Sequence, residues 1–187
     1  MDTIIALWFP VLATATSVFF LSFLFWMVLP HHRKDIQALP DETPIVDAID
    51  SLAVPPGLYM WPNCVDPADY RSEAFIARYR QGPWGTMTIR ASKPNFRKNL
   101  MVTFGVYLGV AVCSGLLVLW GLGEGGTFMD VFPPAAIMGF LAYGLGPICG
   151  ATFLGKPLRF MITDFADGLV MAVTNGAVLA ALWPAVG

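Results

Sequence analysis

Two long apolar segments near the C-terminus, joined by a short basic turn, restrict the possible folds of this chain more than any other feature. The first covers residues 131–154 and the second residues 168–184, and neither contains an Asp, Glu, Lys, Arg or His. A helix that crosses about 30 Å of hydrocarbon needs roughly 20 residues. Because the second segment is shorter than this, we expect its helix to begin near Asp164. The pattern predicts a transmembrane helical hairpin.

Asp164 and Asp167 lie at the expected start of this last helix, and two roles are open to them. A carboxylate at a helix N-terminus meets free N–H groups and the positive end of the helix dipole. We therefore predict that both residues cap the helix at the water boundary. The alternative is acid–base chemistry, since three-residue spacing places both on one helix face. Capping, and charge pairing with nearby Lys156 and Arg159, explain the two residues without a substrate.

Small residues recur at intervals of three or four positions in both segments, which on a helix forms one smooth stripe. Lipid tails give helices no hydrophobic reason to associate, so close backbone approach must supply van der Waals contact instead. We predict that the two helices pack on each other, or that one packs on a partner chain; the alternative is that Gly and Ala are simply common in membrane helices. The predicted packing residues are Gly139, Ala142, Gly146 and Gly150 in the first segment and Gly168, Ala172, Gly176 and Ala180 in the second.

The composition agrees with a membrane protein. Of 187 residues, 56% are hydrophobic and only 13% are charged, and the mean hydropathy is +0.63. Charged residues make up about a quarter of a typical soluble domain, so the composition favours the membrane class. The three cysteines, Cys64, Cys113 and Cys149, show no spacing typical of a zinc site or an iron–sulfur cluster.

Residues 4–29 form a further apolar run with Pro10 near its start. The run is long for a signal peptide, no basic segment precedes it and no small-residue cleavage site follows it, so we predict a retained first helix. His31 and His32 come directly after it. They are either metal ligands or a polar anchor at the membrane surface, and we favour the anchor because adjacent helical residues point about 100° apart.

Residues 31–99 are hydrophilic and predict a small α+β insertion. Helices are expected from Asp41 and from Asp66, where a capping residue and an early proline precede apolar residues on one face. Strands are expected over residues 58–61 and 84–89, which are rich in aromatic and β-branched residues.

The two expected strands form a ribbon too small to be stable alone. We therefore expect this insertion to lean on the membrane surface or on another protein. Trp61 and Trp84 are either anchors at the membrane interface or part of a small core.

The distribution of cations predicts the orientation. A second span is expected over residues 100–122, with Asn95 as its cap. All eleven Lys and Arg residues lie in residues 31–99 or in the turn between the last two spans. Four spans put both regions on one side, which the positive-inside rule places in the cytoplasm, whereas three spans would separate them. On the opposite side, which holds both termini, the only charged residues are acidic: Asp2, Glu124 and Asp130.

The predicted fold is an all-α membrane protein, a four-transmembrane-helix bundle with a small α+β cytoplasmic insertion between helices 1 and 2. We divide it into transmembrane helix 1 (residues 1–30), the cytoplasmic segment (residues 31–99) and transmembrane helices 2–4 (residues 100–187).

Three stretches carry a resemblance to known sequences: LPHHRKDIQALPDE after the first span, GPWGTMTI before the second, and AYGLGPICGATFLGKPLRFMITDFADGL, followed by LWP, in the last two. With these motifs the chain resembles a family of small bacterial inner-membrane proteins with four predicted transmembrane helices. The resemblance extends over roughly two-thirds of the chain. It implies a bacterial origin and the same topology, but no catalytic residue and no substrate.

Polar and helix-breaking groups inside the spans are candidates for function. Pro147 predicts a kink in the third span, and broken helices carry substrate sites in some transporters. Thr174 and Asn175 lie within the fourth span, and Tyr143 is a candidate hydrogen-bond partner for the amide. Such amides commonly join helices. A proton pump or ion carrier is disfavoured because it would need an ionisable group deep in the membrane.

We expect a non-catalytic integral protein of the bacterial inner membrane, an accessory or structural subunit of a larger complex of respiratory or photosynthetic type. Its partners would be the lipid bilayer and other membrane subunits or a second copy, and not nucleic acid. The first alternative is a small oligomeric transporter or channel built around Pro147 and Asn175.

The second alternative is a membrane-surface enzyme that uses His31, His32, Asp164 or Asp167. No serine triad pattern, phosphate-binding glycine loop or HExxH motif supports it. The sequence implies no catalytic residue, no metal site beyond the weak candidates His31 and His32, and no cofactor; a bound lipid or pigment stays open.

Overall fold

The computed structural model describes residues 6–123 and 125–184, and this part of the chain is mostly helical. It consists of two compact units, an insertion of residues 38–94 and a helical unit built from the chain on either side of it. His31 and His32 belong to the helical unit. Asp2 and Glu124, two of the acidic residues predicted for the far side, lie outside the described residues.

The helical unit contains four helices that are long and apolar enough to span a membrane. They are α1 (Trp8–Val28), α4 (Phe96–Leu122), α5 (Phe128–Phe153) and α6 (Leu158–Ala181). Helix α5 packs along α6, and α1 packs along both α4 and α6. The core consists of small and branched apolar residues from all four helices, among them Val11, Ala15, Val18, Ala111, Val118, Val131, Ala135 and Leu179.

Local sequence determines where α4 begins and ends and where α5 begins. The side chain of Asn95 accepts a hydrogen bond from the Lys98 N–H at 3.0 Å, as expected for the cap of α4. Gly123 ends this helix with a φ of +71°, a conformation that side chains with a Cβ disfavour. Thr127 and Asp130 start α5 as a capping box, in which Asp130 accepts from the Thr127 N–H at 2.8 Å.

Helix α5 changes its winding in the middle. It is α-helical over Phe128–Gly139, π-helical over Phe140–Leu145 and α-helical again over Gly146–Phe153. Pro147 has no N–H to donate, and in a regular helix its ring would clash with the preceding turn. The wider π-helical turn accommodates the proline, so the interruption expected here is a change of helix type.

Helix α6 begins at Leu158 and not near Asp164. Gly155, with a φ of +67°, turns the chain, and Pro157 takes the N-cap position, where its missing N–H costs nothing. Asp164 and Asp167 therefore lie inside the helix, beyond its first turn. The prediction that they cap the helix is wrong, because their carboxylates cannot reach free N–H groups from there.

The insertion is a small α+β unit with one two-stranded sheet. Its elements are α2 (Thr43–Ser51), β1 (Gly57–Trp61), α3 (Glu73–Gln81) and β2 (Gly85–Ile89). The strands pair antiparallel, with Tyr59 opposite Met87. Within the described chain neither α2 nor α3 has a buried residue, so this unit has little core of its own.

The two helices of the insertion begin differently. Helix α2 starts where predicted, with Asp41 accepting a hydrogen bond from the Thr43 N–H at 3.0 Å. Asp66 instead opens a short 3₁₀ turn, Pro67–Arg71, and α3 follows with Ser72 as its cap. The hydroxyl of Ser72 accepts a hydrogen bond from the Phe75 N–H at 3.2 Å, so Ser72 and not Asp66 caps this helix.

The tryptophans of the ribbon both make internal contacts. A Cβ placed on Gly85 would overlap the Trp61 ring, so β2 needs a glycine opposite this side chain. The indole N–H of Trp84 donates to the carbonyl of Tyr79 at 2.6 Å. Trp61 is still 40% exposed and Trp84 60% exposed, so each ring combines a contact in the unit with an open face.

Candidate functional site

A cluster of polar side chains lies where the chain leaves α1, and a local break in the backbone creates it. Leu29 is extended, as expected for a residue before proline, and Pro30–Lys34 forms a 3₁₀ turn. The turn directs His31 and His32 back to α6 instead of out along the axis of α1. The two rings lie 4.4 Å apart, so the adjacent histidines converge, although successive residues of a 3₁₀ turn point about 120° apart. The expectation that they diverge is therefore wrong.

Both histidines bind one carboxylate of α6. The Nε2 atom of His31 lies 3.1 Å from each oxygen of Asp167, and the Nε2 atom of His32 lies 2.8 Å from Oδ2. His32 and Asp167 are buried, whereas the side chain of His31 is 31% exposed. This arrangement joins the end of α1 to the fourth long helix.

Asp35 and Arg159 support the histidines from the other side. The Nδ1 atom of His32 lies 2.7 Å from Oδ2 of Asp35, whose side chain is fully buried. The guanidinium of Arg159 donates to the other oxygen of Asp35 and, at 3.0 Å, to the carbonyl of His31. Arg159 therefore balances the charge of a buried carboxylate and holds the turn against the start of α6.

These contacts leave one electrostatic requirement. The Asp35 carboxylate can only accept, so the Nδ1 atom of His32 carries a hydrogen. In a neutral imidazole the Nε2 atom then has a lone pair, and this atom faces an oxygen of Asp167. Two lone pairs repel at 2.8 Å, so either a proton, carried by the ring or by the Asp167 carboxyl, or a metal ion lies between the two atoms.

Aromatic side chains shield the cluster. The indole of Trp26 stacks on His32 with ring centres 3.9 Å apart and an interplanar angle of 7°. Phe25 meets the ring of His31 edge-on at 5.8 Å. The π-electron face of Trp26 favours a positive charge on or near His32, and the bulk of both rings restricts water around the buried nitrogens.

Sequence reasoning named the two histidines and Asp167 but did not bring them together, and it missed the roles of Asp35 and Trp26. Asp164, the other predicted carboxylate, is not among the three residues whose ligand atoms converge. The sequence signal for this arrangement is the run HHRKD after Pro30, because a buried carboxylate three residues after a histidine can orient its ring.

A second polar contact, in the middle of the bundle, joins three helices. The amide nitrogen of Asn175 donates to the hydroxyl of Ser114 at 3.0 Å and to the carbonyl of Ala135 at 2.9 Å. Tyr143 is not its partner, which corrects that expectation: within the described residues the Tyr143 hydroxyl has no hydrogen-bond partner. Thr174 is half-buried, and its hydroxyl donates to the Val170 carbonyl of its own helix at 2.9 Å.

Glycines allow α5 and α6 to approach closely along one seam. A Cβ on Gly168 would overlap the carbonyl group of Tyr143, and one on Gly176 would lie 2.8 Å from the carbonyl oxygen of Phe132. A Cβ on Gly139 would lie 2.9 Å from the backbone of α6. At these three positions only glycine fits the observed separation of the helices.

The other predicted packing residues divide into two groups. Ala172 and Ala180 are buried, and Ala142 packs against a buried apolar cluster. Gly146 and Gly150 do not meet α6: a Cβ on Gly146 would approach only its own helix, and one on Gly150 no described atom within 4 Å. The π-helical turn explains the difference, because its extra residue rotates the last part of α5 relative to the first.

The outer face of α4 carries a further stripe of small residues. Gly105, Gly109 and Cys113 lie at four-residue intervals and are exposed. A Cβ on either glycine would meet no described atom within 4 Å, whereas one on Gly115, on the inner face, would lie 3.3 Å from Val11. The described chain thus leaves this stripe of α4 open.

Comparison with known proteins found no match: no protein-family model, no curated protein and no solved structure matches the chain.

Proposed function

We propose that this chain is a multi-pass protein of the bacterial inner membrane that serves as a non-catalytic accessory subunit of a larger complex, of respiratory or photosynthetic type. The observation that carries the proposal is the open stripe Gly105, Gly109 and Cys113 on α4. Small residues at this spacing let another helix approach the backbone, which is how helices associate in lipid. The seam between α5 and α6 already uses the same device inside the chain.

The orientation proposed with this role has both termini in the periplasm and the insertion in the cytoplasm. The distribution of Lys and Arg supports it through the positive-inside rule. The contact of Arg159 with Asp35 independently supports one part of it, that the two basic regions share a side, because it joins the start of α6 to the turn after α1. An even number of crossings brings these two basic regions to one side.

The buried polar groups of the bundle support a structural role over transport. The amide of Asn175 is used between helices, with Ser114 and Ala135 as its partners. A permeation path would instead need polar groups that line a continuous opening and an ionisable group at depth.

The proposal is tested by the native mass of the protein after extraction from its own membranes with a mild detergent. We expect a complex well above the 20.3 kDa of one chain, with other membrane proteins in it. Cys113 lies on the proposed interface, so a short thiol cross-linker is expected to join it to one of those proteins. Replacement of Gly109 with Leu should release the chain from the complex, because a bulky side chain separates the two helices.

Val173 offers a matched control, since it is 54% exposed on α6, away from the stripe. The Val173→Leu variant should stay in the complex. The proposal is rejected if the extracted protein is a single chain or only a homo-oligomer, or if Gly109→Leu and Val173→Leu behave alike.

A further inference from the structure

We propose that His31, His32 and Asp167 form a binding site for one divalent first-row transition-metal ion of the zinc type, which joins the end of α1 to α6. The site does not depend on the role proposed above, and a membrane subunit or a membrane enzyme could contain it. Two imidazole nitrogens and one carboxylate oxygen are the ligands that such ions accept in proteins.

The ligand atoms already converge. The two Nε2 atoms and a carboxylate oxygen of Asp167 all lie within 4.8 Å of one another. Ligands about 2.0–2.2 Å from a tetrahedral zinc ion are roughly 3.3 Å apart, and the observed N–O distances are 2.8 and 3.1 Å. The observed separations are therefore close to those between the ligands of one zinc ion.

The surroundings of His32 are those of a metal ligand. Histidines that bind metals commonly donate their other ring nitrogen to a carboxylate, which fixes the ring and increases its basicity. Asp35 provides this carboxylate at 2.7 Å, and Arg159 holds Asp35 in turn. The lone pair of Nε2 is thereby directed at Asp167, the third ligand.

Charge favours a cation at this point. Asp35 and Asp167 are two buried carboxylates, and Arg159 compensates for only one of them. A divalent ion between the histidines and Asp167 replaces the repulsion of facing lone pairs with three coordinate bonds. The face of Trp26, stacked on His32, further favours positive charge here.

The donor set also indicates which ion, and how it enters. Two nitrogens and one oxygen suit zinc, cobalt or nickel better than magnesium or calcium, which prefer oxygen alone. Three protein ligands leave a fourth position for water. His31 is the partly exposed member, so the ion reaches the site from its side.

The test is metal binding by the full-length protein in detergent, after treatment with a chelator. Titration with Zn²⁺ should show one site per chain, and Co²⁺ should give the visible absorption of a low-symmetry nitrogen–oxygen site. A bound Co²⁺ ion should also quench the fluorescence of Trp26 through the stacked His32 ring, and Trp26→Phe should remove that part of the quenching without removing the ion.

Four variants separate a metal site from a structural cluster. His31→Gln and Asp167→Asn each remove a ligand and should abolish stoichiometric binding. Asp35→Asn leaves the ligands in place and should weaken binding about 10- to 100-fold. Asp164→Asn, the control on the same helix, should bind as the wild type does.

His31 is partly exposed, so His31→Gln is expected to remain folded, and its thermal unfolding in detergent checks this. The proposal is overturned if the folded wild-type protein binds neither Zn²⁺ nor Co²⁺, which would leave a proton instead of a metal ion between His32 and Asp167. It is also overturned if folded His31→Gln binds the ions as tightly as Asp164→Asn does.

Discussion

A single amide at the centre of the bundle holds three helices in register. Asn175 is fully buried on α6 and donates to Ser114 of α4 and to Ala135 of α5. Polar side chains between membrane helices contribute roughly 0.6–2 kcal/mol each. The oxygen of the same amide is buried and has no hydrogen-bond partner within the described residues, which offsets part of this contribution.

Replacement of Asn175 with Ala should lower the free energy of unfolding by about 1–2 kcal/mol, because both bonds are lost and a small cavity remains. The measurement is thermal or denaturant unfolding in detergent. Thr174→Ala is the control, since the Thr174 hydroxyl bonds only within its own helix. Equal losses for the two variants would contradict the joining role of the amide.

Among the helices, the packing of α5 against α6 depends most on glycines, which have no side chain to separate the two backbones. Where three glycines meet the facing helix, the two backbones come close enough for a methyl group to overlap the neighbour. Beyond Gly146 the π-helical turn has rotated α5, and the glycines there face outwards. The same residue type therefore has a packing role in one part of the helix and none in the next.

Replacement of Gly168 with Ala should destabilise the bundle by about 1–3 kcal/mol, the usual cost of overpacking. The added methyl group would overlap the backbone of Tyr143, which cannot move without separating α5 from α6. Unfolding of the purified protein in detergent measures the effect.

Gly150→Ala is the matched control, because its methyl group would meet no described atom within 4 Å. It should be neutral or slightly stabilising, since Ala is the better helix former by about 0.5–1 kcal/mol. A Gly168→Ala variant as stable as Gly150→Ala would show that the seam is not tightly packed.

At the scale of the whole molecule, the proposed orientation depends on two basic regions that lie on one side. In bacterial cells, a membrane-impermeant maleimide should label Gly126→Cys, in the turn between α4 and α5, without permeabilisation. The natural Cys64, in the insertion, should react only after the membranes are opened. Cys113 and Cys149 are replaced with Ala in both strains, and Cys64 with Ala in the first.

The chemistry of Cys64 requires one control. Desolvation and the nearby Asp69 carboxylate raise the pKa of its thiol, which lowers the reactive thiolate fraction at neutral pH. Its labelling in opened membranes should therefore increase as the pH is raised, and this separates slow reaction from protection. Labelling of Cys64 in intact cells, with Gly126→Cys protected, would indicate the opposite orientation and contradict the proposal.

The sequence alone determined the four long helices, the cap at Asn95 and the two short strands. These features depend on hydropathy and on capping residues, whose effects extend over only a few neighbouring positions. The expected start of α6 near Asp164 is wrong because Gly155 turns the chain earlier and Pro157 begins the helix at Leu158. The tertiary structure decided which polar groups meet. His31 and Asp167 are 136 residues apart, and their contact depends on the 3₁₀ turn Pro30–Lys34 and on the packing of α1 with α6. A contact between residues so far apart depends on how the helices pack, and no local sequence pattern encodes it.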